Sequence, residues 1–245
     1  MAKCILWAKY TFEINPEEEG EKHFWDRFLF KELGILKGAG SNYVQCSLER
    51  ILGEKQYPCF AKVLSLIHKT PFLEWFLTIR EIDRVPPSLA EVVKLSCTSQ
   101  DELDGQELAK QWLHGSALPN IRLMGIINSQ EEVDRMCSAL LSICCSFHGL
   151  LVSFVGPIDL HSWLRCLEGP GDAPFGVESP TKAVDWVVLD HDAYIAPKEV
   201  LWVRGLIRQC CRAGVPVFVH IKGVADVENR KLSEVPEELQ VQEFP

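Results

Sequence analysis

The chain has 245 residues, a net charge of −9 and 47% hydrophobic content, enough for one large α/β domain with a sizeable core. Mean hydropathy is near zero and no apolar run approaches the roughly 18–20 residues that cross a bilayer, so a membrane protein is not expected. The negative charge also argues against nonspecific binding to nucleic-acid backbone, which rewards a basic surface.

From the N-terminus, "CILWA" (4–8) is short, apolar and strand-like. The opening "MAKCILWAKYTFE" returns to polar residues too soon for an export signal, so a cytoplasmic location is expected. The segment 17–45 is expected to be helical: in "EKHFWDRFLFKELG", Phe24, Phe28, Leu29 and Leu33 recur at helical spacing and Gly34 offers a stop. "CFAKVLSLIHK" (59–69) and "GQELAKQWLHG" (105–115) read as helices, and "FLEWFLTI" (72–79) between them as a strand.

The second half alternates more clearly. "IRLMGII" (121–127) is a strand, and the helix over 128–145 has Ser129 and Glu132 as a capping box and an apolar stripe of Val133, Met136, Leu140 and Leu141. "GLLVSFV" (149–155), "DWVVL" (185–189) and "VPVFVHI" (215–221) are strands. A Gly/Pro-rich surface loop spans 167–182. The helix 196–214 has Pro197 near its start and Gly214 after its end, and a polar tail begins at about 224. Near-continuous apolar strands alternating with helices imply a parallel sheet covered on both faces, in chain order, as a partial (βα) barrel or a doubly wound layer within a single domain.

Ten cysteines include no Cys-x-x-Cys, and a reduced protein without bridges is expected. Cys137, Cys144 and Cys210 fall among apolar helix residues, where a thiol behaves as a small hydrophobe. The adjacent pairs Cys144–Cys145 and Cys210–Cys211 point about 100° apart on a helix, a poor start for a shared metal. Arg204, Arg208 and Arg212, spaced by four, mark one helix face and read as a solvated face.

Chemistry in parallel α/β folds gathers at the C-terminal ends of the strands. Those positions hold Thr78 and Arg80, Asn128, Ser153, Asp190 with His191 and Asp192, and His220 with Lys222. Asp190, Asp192 and His220 could ligate a metal for a hydrolase with His191 as general base, although neighbours on an extended chain point opposite ways. Arg80, Asn128, Ser153 and Lys222 are candidate ligand-binding residues. Arg80, Lys222 and the helix starting near Ser129 could together bind phosphate or a nucleotide, though without a Gly-rich loop. Each residue also has a structural reading: Asn128 as the neighbour of a helix cap, His220 as a satisfied core histidine.

A resemblance bears on these alternatives. Asn120, Leu123, Gly156-Pro157-Ile158-Asp159-Leu160, Trp163-Leu164, Asp185-Trp186-Val187, Trp202-Val203-Arg204, Gln209-Cys210 and Ala213-Gly214-Val215-Pro216 follow one pattern. Leu77, Thr78 and Arg80 continue it upstream, and Ile5, Trp7, Thr11, Asn15 and Pro16 echo its opening. This pattern resembles the phage-associated three-cysteine-motif radical-SAM-like family. The specific part is 120–223, and 17–70 is nearly blank. The resemblance implies a radical-SAM/TIM-like partial barrel.

The departures from that family lie where its chemistry resides. Its three cluster cysteines follow the Asn-Pro opening, yet no cysteine stands between Pro16 and Gln45. Leu189-Asp190-His191-Asp192 replaces its cofactor-seating Gly-Gly-Glu turn, Ser153-Phe154 its Ser-Ala-Glu-Pro strand end, and Ile79 and His220 its lysines. These losses imply a degenerate member, not an enzyme, that needs neither an iron–sulfur cluster nor S-adenosylmethionine. It would act as a binding or regulatory scaffold for a protein partner in phage–host conflict, with no metal site assigned.

Overall fold

The computed structural model describes residues 10–12, 43–49, 51–53, 56–153, 156–164, 184–191 and 197–221. It is an α/β protein in which all recorded strand pairings are parallel and strand order follows the chain. Backbone contacts divide the chain into two compact units, Met1–Met124 with Ile143–Phe147, and Gly125–Ser142 with His148–Pro245.

The first unit contains β1 (Tyr10–Phe12), β2 (Tyr43–Ser47), α1 (Tyr57–Lys69), β3 (Glu74–Ile79), α2 (Val85–Val93), α3 (Gln100–Leu113) and the start of β4 (Ile121–Ile127). Five of the six β3 residues are buried, as the continuous apolar run requires of a strand covered on both faces. Helix α1 buries Phe60, Ala61, Val63, Leu64, Leu66 and Ile67, so it presents apolar surface almost all round. Its tightest neighbour is α3: a Cβ placed on Gly105 would lie 1.9 Å from the Ala61 carbonyl oxygen.

Asn120, at the entrance to β4, organises the α1–β3 turn. Its buried amide donates to the carbonyls of Ile67, Thr70 and Leu73 at 3.1, 3.2 and 3.0 Å, while its backbone carbonyl accepts from the Trp75 N–H at 2.8 Å. Thr70 completes the knot, accepting from the Trp75 indole N–H at 3.0 Å and donating to Leu66 O at 2.9 Å.

Helix α3 begins five residues before the expected 105. Ser99 is its N-cap and Glu102 closes a reciprocal capping box, accepting from the backbone N–H groups of Thr98 and Ser99 and from the Thr98 hydroxyl. The Glu102 carboxylate is buried and pairs with Lys62 at 3.3 Å. Burial alone would raise its pKa, but the Thr98 hydrogen bonds and the Lys62 charge outweigh it and hold the group below the usual carboxylate range. A depressed folded pKa stabilises above the unfolded value of about 4.3, and that contribution fades as pH falls through the folded value. Urea midpoints followed from neutral pH into acid should therefore decline less steeply for Glu102→Gln than for wild type, from a lower starting point.

The second unit contains the rest of β4, α4 (Gln130–Ser142), β5 (His148–Val152), β6 (Trp186–His191), α5 (Pro197–Ala213) and β7 (Val217–Ile221). Buried Leu150, Leu151 and Val152 stand in register with Val187, Val188 and Leu189, and these last two with Phe218 and Val219. Trp186 meets Phe218 edge-on, with ring centroids 6.4 Å apart.

Several expectations shift. Strand β5 stops at Val152, not 155, and α4 ends at Ser142, not 145. Tyr43–Gln45, expected to be helical, form part of β2, because Val44 and Cys46 pack in the core beside β3. The remainder of 17–42, the strand at 4–8, the loop 167–182 and the tail from about 224 lie outside the described residues. Helix α2 has no counterpart among the expected elements; its prolines fall in the first turn, where a helix tolerates them.

Candidate functional site

In the second unit the ends of β4, β5, β6 and β7 bring Asn128, Ser153, Asp190 and His220 into one row. The Ser153 N–H bonds to Ile127 O at 2.9 Å, the Ser153 hydroxyl donates to Asp190 O at 2.9 Å, and Asp190 is in register with His220. Asp190 and His191 continue β6 as regular strand, paired with His220 and Ile221, where the resemblance implies a turn. Asp192 and Lys222, and the side chains of His191 and His220, lie outside the described residues. Arg80 belongs to the first unit, exposed just after β3, where its backbone N–H donates to the Glu49 carboxylate; Thr78 beside it is buried.

The Ser153 hydroxyl and N–H, the Asp190 carbonyl and the Asn128 N–H at this row are engaged within the chain. At the start of α4 the Glu132 carboxylate accepts from the Asn128 N–H at 2.7 Å, one residue before the expected Ser129 cap, and the Glu132 N–H donates to the Ser129 backbone O at 3.2 Å. A carboxylate already sits at this helix start, with Glu131 beside it in the first turn, which disfavours a phosphate there. Among the described residues, no three of His, Cys, Asp or Glu converge as a metal-ligand group.

Several of the described cysteines sit where a thiolate is disfavoured. Cys46 on β2 and Cys59 on α1 are buried, and burial, helped by the neighbouring Cys59, pushes the Cys46 thiol up to about 12. Cys137 is likewise pushed to about 12 by burial and then by the Asp134 charge, and burial raises Cys145. A cluster ligand must be a thiolate, which these surroundings oppose. Among the described cysteines of the native protein, the exposed Cys211 should react first with a thiol reagent, and buried Cys46, Cys59, Cys137 and Cys210 only on unfolding. Ten free thiols should be counted in denaturant without reductant; a substantial shortfall would mean bridged or metal-bound cysteines.

A second feature escaped the strand-end reading. The loop Gly156–Leu160 is held by two side-chain amides that each grip the backbone twice. Gln130 of α4 accepts from the Asp159 N–H at 2.6 Å and donates to Asp159 O at 3.3 Å. Gln209 of α5 accepts from the Leu160 N–H at 2.7 Å and donates to Ile158 O at 3.3 Å. Asp159 also accepts from the His161 N–H at 2.9 Å, and the Trp163 indole donates to Asp134 at 2.8 Å. The loop and α5 border an open groove of about 800 Å³. Gln209 belongs to the resemblance pattern, whereas Gln130 is an exposed residue beside a helix cap, and nothing in its sequence context signals a distant loop partner.

No family model matches the chain, and no curated protein and no solved structure matches it.

Proposed function

We propose that the chain is a degenerate radical-SAM-like partial barrel that has kept the scaffold and abandoned the chemistry. It serves in the cytoplasm as a non-catalytic binding or regulatory partner of another protein, in a phage–host setting. The observation that carries this reading is the continuation of β6 through Asp190 and His191. A cofactor-seating turn needs glycine backbone that a ligand can approach closely, whereas here the backbone is paired in the sheet and the Asp190 carbonyl is taken by Ser153. The sequence also opposes S-adenosylmethionine, since Asp190 and Asp192 add negative charge where the resemblance puts a cofactor-seating turn. Phage–host conflict as the setting rests on the sequence resemblance alone.

Titration calorimetry with S-adenosylmethionine tests this. No saturable heat up to millimolar concentration is expected; a micromolar dissociation constant would overturn the reading and return Asp190 and Asp192 to the working residues.

A further inference from the structure

Helix α5 carries a glycine with no close neighbour among the described residues. Gly205 lies in the middle of this 17-residue helix, and a Cβ built on it meets none of their atoms within 4 Å. Glycine costs a helix interior about 1 kcal/mol relative to alanine, a cost that a close neighbour explains. Gly105 has such a neighbour; among the described residues Gly205 does not. It lines the open groove instead, between Leu201, which is 63% exposed, and Arg212. Half-buried Trp202 and exposed Pro157 from the clamped loop add to the apolar wall.

Leu201, Gly205, Arg208 and Arg212 recur at i, i+4, i+7 and i+11, one face running about 16 Å along the helix. Its N-terminal half is apolar and its C-terminal half cationic. Among the described residues neither Arg208 nor Arg212 pairs with a carboxylate. Arg212 lines the groove together with Asp159 of the clamped loop, and Arg208 lies one turn back along the same helix face, so among the described residues the two guanidinium groups outnumber the one carboxylate there.

We propose that this groove docks an acidic amphipathic helix of a partner protein. Leucine-type anchors pack against Leu201 and Trp202, the partner's backbone crosses closely over Gly205, and its carboxylates pair with Arg208 and Arg212. The proposal rests on the partner-binding reading above and gives it a surface and a ligand chemistry. The double amide grip of Gln130 and Gln209 holds the opposite wall in place before binding, which lowers the ordering cost of association.

The test uses the full chain and a labelled 16-residue helical peptide of leucine and glutamate, read by fluorescence anisotropy. Saturable binding is expected, weakened at least about tenfold by Gly205→Leu and by Arg212→Glu, and abolished when lysine replaces every glutamate of the peptide. Gly205→Ala is the folding control, with melting raised by about 2–4 °C, because alanine favours the helix and there is room for its methyl group. No binding, equal binding of the lysine peptide, or binding indifferent to Gly205→Leu would overturn the proposal. Preferential binding of a synthetic 224–245 peptide would replace the partner with the chain's own tail. Concentration-dependent dimers lost in Gly205→Leu would replace it with a second copy. All these failures leave the absence of cofactor binding, read separately by calorimetry, intact.

Discussion

Gly105→Ala should destabilise the protein by about 3 kcal/mol, although the same change in an exposed helix stabilises by about 1 kcal/mol. The sign reverses because of what faces the glycine. A methyl carbon at Gly105 would stand 1.9 Å from the Ala61 carbonyl oxygen and 2.4 Å from its carbonyl carbon, both backbone atoms inside α1. No rotamer change relieves a clash with backbone, so the two helices must separate. That separation loosens the buried faces around Leu108, Ala109 and Trp112 on α3 and Leu64 on α1. The urea midpoint should drop sharply with little change in slope. A midpoint at or above wild type would show that α1 and α3 do not approach as described.

Asn120→Ala should cost a similar amount, about 3 kcal/mol. The amide N–H₂ is shared among three carbonyls, and two of them have another donor: Ile67 O accepts from the Thr70 N–H at 3.2 Å and Thr70 O from the Leu73 N–H at 3.0 Å. Leu73 O depends more heavily on Asn120, so truncation leaves a carbonyl short of a donor beside a cavity. Asn120→Asp should be at least as damaging near neutral pH, since it sets a carboxylate among carbonyl oxygens. Equilibrium unfolding of the three proteins decides. An alanine variant within about 0.5 kcal/mol of wild type would mean that water replaces the amide at no loss.

Asn120 also shows how much the sequence carries. It is singled out by the resemblance pattern, but its work, tying a helix end to a strand start some fifty residues away in the chain, is a tertiary fact with no local signature. Strands of near-continuous apolar residues, such as Ile121–Ile127 with Arg122 its one charged member, are legible because a strand largely buried on both faces has little other composition available. Strand β2 is not: "YVQCS" mixes polar and apolar residues, and Gln45 is buried there by the neighbouring strands, not by its own preference. The capping box at Ser99–Glu102 is readable as Ser-x-x-Glu, but the weakly amphipathic α3 behind it hides the helix start.

The candidate site is legible as positions and less so as chemistry. Strand-end logic places Asn128, Ser153, Asp190 and His220 side by side, as the backbone register has them. It places Arg80 in the same group, although that residue belongs to the other compact unit. What sequence cannot foresee is that Ser153 gives its hydroxyl to a backbone carbonyl and that Glu132 reaches the Asn128 N–H. Those choices depend on loop geometry at the scale of an ångström or two.

The central claim, that the scaffold has outlived its cofactor chemistry, is tested most directly by anaerobic purification followed by iron, sulfide and metal analysis. Substoichiometric iron and sulfide, with no other metal near one equivalent, is the predicted result. Iron and sulfide near about four per chain would contradict it by restoring a cluster, and zinc or manganese near one equivalent would contradict it in favour of a hydrolase built on Asp190, Asp192 and His220.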